Sequence, residues 1–332
     1  MPMVEPNKKT TYNLKDFQDA CVLVVGDVML DTWIYGTSRR ISPEAPVPII
    51  NYKSQTHMLG GAANVARNIA HLEGKSILAG VVGTDREADT YHKLLDKEKR
   101  IINAGISIPQ RQTTTKTRIV TNNHQMARID MEQTDPLKDL VAQQLLSKIF
   151  DIIVEHPIKA VVISDYGKGT VTDQVCHGLL TWARDWIPVL VDPKGTDWKK
   201  YAGASVITPN LQELCAMVKQ PDLDDLEIIH HSNNLIQIYD FWSMLVTRAE
   251  QGMTMCLNTG EQYNIPAQVR EVADASGAGD TVIATLAMAM CAGYELTDAM
   301  HMANVAAGIS VSKKGTATVD IQELQKALDT LA

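Results

Sequence analysis

The chain has 332 residues, 45% of them hydrophobic, and a formal net charge of −8 from 39 acidic against 31 basic side chains. That length and apolar content suffice for one large α/β domain or two smaller ones. The acidic balance gives no basic field for tracking a nucleic-acid backbone, so nucleic acid is excluded as a partner, and an anionic small ligand must be met by a few locally gathered Arg and Lys residues.

In chain order, Met1 to Asn13 is polar, carries Lys8 and Lys9 with no apolar run behind them, and reads as a loose tail, not a secretory leader. A strand is expected at Val22–Gly26. Thr32–Lys53, with Pro43, Pro46 and Pro48, reads as strand outside any main sheet. Gly60-Gly61-Ala62-Ala63-Asn64 then opens a helical stretch, Val65–Leu72, and a second strand is expected at Ile77–Val82. Thr115–Met131 alternates Thr, Ile and Val around Asn122-Asn123-His124, the pattern of a hairpin with arms Lys116–Thr121 and Gln125–Met131. Two such insertions, at about 32–58 and 108–134, predict a small antiparallel sheet closing as a lid, or a surface hairpin with no role.

Leu137–Val154 places Leu137, Leu140, Val141, Leu145, Ile149, Ile152 and Ile153 at the spacing of an amphipathic helix. Strands follow at Ala160–Ser164, Val189–Val191, Val206–Thr208 and Met244–Thr247. Short β-branched runs alternating with helical segments predict a parallel sheet covered by helices, and the absence of repeats or long linkers predicts one domain over residues 1–332. The longest apolar run, around Val282–Cys291, falls short of the roughly 18 residues a membrane span needs, which predicts a cytoplasmic protein without membrane contact. Cys21, Cys176, Cys215, Cys256 and Cys291 lack metal or redox spacing and read as reduced core thiols.

The densest chemistry is Asp274-Ala275-Ser276-Gly277-Ala278-Gly279-Asp280 ahead of the apolar helix Thr281–Met290. Gly277 and Gly279 let backbone approach a ligand, and free N–H groups at a helix start suit a phosphoryl group. A carboxylate there, Asp280, suits a base that takes the proton of an attacking hydroxyl. The plainer alternative makes Asp274 or Ser276 an N-cap and Asp280 a partner of the helix dipole. Gly60, Gly61 and Asn64 offer amides and a side chain to a hydroxylated ligand, or simply close helix packing; neither a dinucleotide nor a P-loop spacing is present.

Together, Gly60–Asn64 and Asp274–Asp280 resemble the two motifs of the ribokinase-like carbohydrate kinases, and the resemblance spans nearly the whole chain. It implies a three-layer αβα sandwich with a mainly parallel central sheet and a small β-sheet lid, and a single kinase domain without a C-terminal adenylyltransferase. Gly26–Asp31 is similar to the family's first strand with its sugar-contacting Asp31. Asn210-Leu211-Gln212-Glu213 is similar to the N-x-x-E element, which implies that Glu213 organises Mg²⁺ through water. Thr247–Gly252 resembles the nucleotide-lining T-x-G-x-x-G stretch, with Ala249 in place of a glycine. Asn304 falls where the family sets a residue beside adenine, and Gly315 where a glycine closes that pocket, though a solvent-facing residue and a helix C-cap remain open readings.

Ser38–Pro48 and Ser164-Asp165-Tyr166-Gly167-Lys168-Gly169 look like the bacterial D-glycero-β-D-manno-heptose 7-phosphate kinases, whose glycine motif this chain keeps except at Ala275. The resemblance implies ATP and Mg²⁺, a monovalent cation such as K⁺, a heptose phosphate substrate and a homodimer formed through the lid. Arg39, Arg128 and Lys168 are the expected phosphate-binding cations, with Asp165 beside Lys168 at a strand end and Lys194 towards the nucleotide. Arg128 reads equally as a solvated charge. Asp280 is expected to be an ordinary carboxylate with a pKa near 4. A kinase for another sugar (fructose 6-phosphate or ribose), a non-catalytic nucleotide or sugar sensor, and a nicotinamide oxidoreductase are the competing functions, the last opposed by the missing dinucleotide fingerprint.

Overall fold

A computed structural model describes residues 12–122, 124–183, 186–268, 272–313 and 315–331. Most of the expected tail, Met1–Thr11, and the central Asn123 of the expected turn lie outside the described residues. After a 3-10 turn at Leu14–Asp19 come β1 (Cys21–Gly26), the long β2 (Val28–Ile41) and β3 (Pro48–Gly61), α1 (Ala62–His71), β4 (Lys75–Ala79), β5 (Val81–Val82), α2 (Arg86–Leu95), β6 (Ile101–Asn103) and β7 (Ile106–Ser107). The hairpin β8 (Thr115–Thr121) and β9 (His124–Met131) leads to α3 (Asp139–Ile153), β10 (Ala160–Ser164), α4 (Asp173–Ala183), β11 (Val189–Asp192), β12 (Val206–Ile207), α5 (Leu211–Val218), α6 (Asp225–Tyr239) and β13 (Ser243–Thr247). Then follow β14 (Met253–Leu257), β15 (Gln262–Ile265), α7 (Ala278–Cys291), α8 (Leu296–Val311) and α9 (Ile321–Leu331).

The main sheet runs β15-β14-β13-β12-β11-β10-β1-β4-β6. It is parallel from β6 to β13, and β14 and β15 extend it antiparallel. Alternation along β1 explains the layers: Val22 and Val24 enter one core with α1, α7 and α8, whereas Leu23 and Val25 enter the other with α3, α4 and α6. This is the expected three-layer αβα sandwich.

Four details depart from the sequence reading. Tyr12 is buried against the Tyr294 and His301 rings, and Asn13 caps the first turn, so the tail ends before Tyr12. The expected strand Ile77–Val82 breaks at Gly80, where a Cβ would lie 2.6 Å from Val28 and 2.8 Å from the Gly26 carbonyl, and β5 leaves to pair with β7. Helix α3 buries Ala142, Leu145, Leu146, Ile149 and Ile153, which rotates Leu140 to 67% exposure. The lid is a four-stranded sheet, β3-β2-β8-β9, but not wholly antiparallel. Strands β2 and β8 both leave the body at Leu30 and Thr115 and run outward, so they pair parallel.

The cysteines are unpaired; Cys21, Cys176 and Cys256 are buried. Burial pushes the Cys176 thiol up to about 12. Among the described residues no helix is long and apolar enough to cross a membrane.

Candidate active site

The glycine loop ends at Gly277, which adopts φ +80° and is itself the N-cap of α7. Neither Asp274 nor Ser276 caps the helix. Asp274 instead accepts the N–H groups of Ser276 (2.9 Å) and Gly315 (3.1 Å), tying the loop to the segment beyond α8. Helix α8 ends at Val311 with Ser312 as its cap, so Gly315 (φ +74°) is not the helix C-cap. A Cβ on Gly277 would press to 3.0 Å from the Asn64 amide nitrogen, while a Cβ on Gly279 would meet nothing within 4 Å. Gly277 therefore makes room for Asn64, and Gly279 faces open space beside the first helical turn, where N–H groups lack intrahelical partners.

Asp280, 3% exposed, lies in the first turn of α7. Its Oδ2 accepts from Asn64 Nδ2 at 2.7 Å and its Oδ1 from the Tyr166 hydroxyl at 2.5 Å. Burial pushes its pKa up to about 6, against the pull of the Asn64 and Tyr166 hydrogen bonds and the Lys116 charge. The expected ordinary carboxylate is thus corrected: helix packing around α7 removes the water that an ordinary carboxylate keeps.

Asp31 lies at the base of the lid, buried, with Arg118 Nη1 at 2.7 Å; the Arg118 guanidinium stacks 4.8 Å from the Trp33 ring centre. A Cβ on Gly60 would sit 2.3 Å from Asp31 Oδ2, and one on Gly61 (φ +59°) 2.3 Å from the Asp27 carbonyl, so these glycines let the acid and the lid strand pack on backbone. Lys116 shares the Arg118 face of β8 and holds its ammonium 5.5 Å from the Tyr166 ring centre. Burial lowers its pKa, and the nearby Asp31 charge opposes that shift. Sequence reading missed Lys116, Arg118 and Tyr166. The period-2 spacing of Lys116 and Arg118 on a strand was the available signal.

The loop after β10 hangs on Asp27, whose carboxylate accepts the N–H groups of Tyr166, Lys168 and Thr170, each at 2.9 Å. From the lid side, Arg111 donates to the Lys168 carbonyl and, at 3.3 Å, to those of Gln133 and Asp135. Lys168 pairs with Glu132 at 2.8 Å. Asp165, expected to contact substrate, has a buried carboxylate that accepts from Lys200 and the Tyr201 hydroxyl, both 2.6 Å, and from Gly167 N–H.

Arg39 lies far out on the lid, whereas Arg128 stands opposite Arg118 on the lid face that carries Asp31. Arg39 is exposed eight residues outward of Asp31 on β2, roughly 25 Å at about 3.3 Å per residue. Arg128, 51% exposed in its side chain, pairs with Asp130.

On the nucleotide side expected from sequence, Asn210 and Glu213 form a capping box at the start of α5, with Leu211 partly buried and Gln212 exposed between them. The Glu213 Oε1 also meets Lys194 Nζ at 2.9 Å. Among the described residues no group of three His, Cys, Asp or Glu side chains could cage a metal. Such a donor set does not fit an all-protein metal site. Asp192, at the end of β11, is pushed well above the usual carboxylate range by burial and by the charges of Asp280 and Glu213.

Thr247 closes β13 with a bridge to Asn210, and Gly252 (φ +88°) packs where a Cβ would strike the Ile265 carbonyl at 2.0 Å. Asn304 is buried and donates to the Pro266 carbonyl at 2.8 Å, which uses one of its two amide hydrogens. Ala249 adopts φ +49°, a left-handed conformation that penalises a Cβ. Ala249→Gly is therefore expected to stabilise the protein by about 1 kcal/mol, read as a higher urea midpoint with unchanged m; an unchanged or lower midpoint refutes that strain.

A model of the pfkB family carbohydrate kinases matches residues 19–323. The chain is 43% identical over 324 residues, 96% of its length, to the "Bifunctional protein HldE" of Granulibacter bethesdensis, and 41% identical over 314 residues to that of Haemophilus influenzae. It spans 66% and 64%, respectively, of those longer relatives. Among solved structures, phosphofructokinase-2 from Escherichia coli superposes with a TM-score of 0.77 at 17% identity, covering 94% of this chain and 98% of that one. Arabidopsis thaliana ribokinase, solved with ribose and ATP, reaches 0.72 at 19% identity, covering 93% of this chain and 98% of that one. At such identities these two neighbours speak for the fold alone.

Proposed function

Because the chain belongs to the pfkB family of carbohydrate kinases, we propose that it transfers the γ-phosphoryl group of ATP to D-glycero-β-D-manno-heptose 7-phosphate at the anomeric hydroxyl, a step towards ADP-heptose and lipopolysaccharide. The observation that carries the kinase reading is Asp280: a buried carboxylate at the opening of a helix, gripped on both oxygens and overlooked by Lys116. The amides of Gly277 and Gly279 hold the transferring phosphoryl group, with that of Ala278 joining them on giving up its 3.3 Å bond to the Ala275 carbonyl, and Asp280 orients the hydroxyl and takes its proton late. Mg²⁺, when bound, would offset phosphate charge, with Glu213 the residue to hold one of its waters and Lys194 a further cation for the phosphates. A K⁺ requirement remains a family-based expectation.

The heptose assignment rests on the relatives named above and on Lys168, Lys116 and Arg118, cations gathered at the lid base of an acidic protein. The lid face opposite Asp31 carries Ile34, Ile119 and the half-exposed Ile129, which supports pairing of two lids in a dimer.

Since Asp280 must be ionised to accept a proton, kcat/KM is expected to fall as pH drops through about 6, a limb absent for a base near 4. A profile flat from pH 7 to pH 5 contradicts the role. The deciding assay is ADP release with Mg-ATP and heptose 7-phosphate, fructose 6-phosphate, fructose and ribose. Selective turnover of the heptose phosphate is the expected result; turnover of another sugar keeps the kinase and discards the heptose, and turnover of none favours a sensor.

A further inference from the structure

We propose that Tyr166 is a positioning residue, which aims the Asp280 carboxylate through its phenolic hydrogen bond and is itself steadied from the lid by Lys116. The proposal rests on the kinase reading for its purpose, but its geometry stands alone. The terminal torsion of an aspartate is broad, so one donor would leave the carboxylate plane free to rock. Here two donors from separate elements, Asn64 on α1 and Tyr166 on the loop after β10, each take a different oxygen. Each oxygen keeps a second lone pair for a sugar hydroxyl.

Tyr166 is held in turn. Its N–H bonds Asp27, as do those of Lys168 and Thr170, and Lys116 of β8 lies over its ring. Its phenol is pushed well above the ordinary range by burial and by Asp280, so it stays protonated as a donor and does not compete as the base. The charged groups acting on Asp280 are Asp31 from β2 and Lys116 from β8, with Asp192 from β11 also coupled to it. Lys116 favours the carboxylate form. The two acids disfavour it, so the Tyr166 and Asn64 bonds do the opposing work of keeping a buried base available.

The test is a carboxyl ¹³C titration of aspartate-labelled protein without substrate, with Asp280→Asn assigning the resonance. Tyr166→Phe keeps the ring and removes the donor, and is expected to raise the Asp280 midpoint by about one pH unit. 3-Fluorotyrosine in place of Tyr166, a stronger donor of nearly equal size, is expected to lower it, and keeps the test decisive should the Phe variant not fold. In turnover, the acid limb is expected to move in the same directions, with kcat about 10-fold lower for Tyr166→Phe and KM held within about 3-fold. An Asp280 midpoint that ignores both replacements overturns the proposal, as does a kcat loss with the limb unmoved. A wild type that titrates as expected yet turns over no sugar would defeat the kinase reading and leave the Tyr166 bond established.

Discussion

Asp280→Asn is expected to lose roughly 10²- to 10⁴-fold in turnover, the range for a positioned base, with KM values for ATP and sugar nearly kept. The same variant is expected to be more stable than the wild type at pH 8. A carboxyl whose pKa rises on folding from 3.8 to about 6 binds its proton more tightly in the native state. Its stabilising protonation is complete below pH 3.8 and lost as pH rises through 6, so at pH 8 the ionised group costs the fold about 3 kcal/mol. An asparagine carries no such cost. It can accept from Asn64 and donate to the Tyr166 oxygen, but the Tyr166 hydroxyl hydrogen then loses its acceptor, which takes back part of the gain. Urea unfolding should show a gain of about 1–3 kcal/mol at pH 8, shrinking to about half at pH 5. Equal stabilities at both pH values would mean that Asp280 is not desolvated, and near-normal turnover would remove it from the chemistry.

The second large effect is expected at Asp27. Asp27→Ala leaves the N–H groups of Tyr166, Lys168 and Thr170 without their acceptor, the last fully buried and the other two half-buried. Unsatisfied buried donors cost about 1–3 kcal/mol each, and because one loop carries all three the sum should be about 3–5 kcal/mol. Amide exchange at these three positions should rise from protected to nearly free, and activity should fall with them, since Tyr166 loses its anchor. A stability loss below about 0.5 kcal/mol would show that water or a neighbour replaces the carboxylate.

Much of the scaffold was legible because buried parallel strands are short β-branched runs, and β1, β10, β11 and β13 sit within a residue or two of the sequence reading. Strands β14 and β15 were overlooked. Met253-Thr254-Met255-Cys256-Leu257 is poor in β-branched residues, and its strand character comes from pairing with β13 across a turn. Gly80 ended a strand for a reason of close approach that no local pattern carries. Within the site, the glycine loop, Asn64 and Asp280 could be singled out from residue type and spacing, but Asn64, expected to face a ligand, donates to Asp280, and Asn210 to Glu213, read as an N-x-x-E element, also forms a capping box. The proton affinity of Asp280 was not legible, because burial by α1 and α7 is a property of packing. The period-2 spacing puts Lys116 and Arg118 on one strand face, but only the register sets that face beside Asp31 and Trp33, and Tyr166 enters only through its bond to Asp280. Asp165 follows a strand, which marks it out in the sequence, but its bonds to Lys200 and Tyr201, far along the chain, have no local signal.

The way β2 springs from β1 makes the lid a beam clamped at its root. Gly26 has no room for even a methyl group beside the Ser164 carbonyl, and Asp27 is fixed through its own N–H, its carbonyl and its carboxylate. Bending is therefore left to the irregular places farther out, between Tyr35 and Gly36 and between Ser38 and Arg40, where the β2–β3 ladder slips register. A cantilever of this kind flexes at its tip while Asp31, Trp33 and Lys116 stay put near the support. On the kinase reading proposed above, ligands would pass under the free end, and lengthening or stiffening that end would alter exchange with solvent without disturbing the groups at the root.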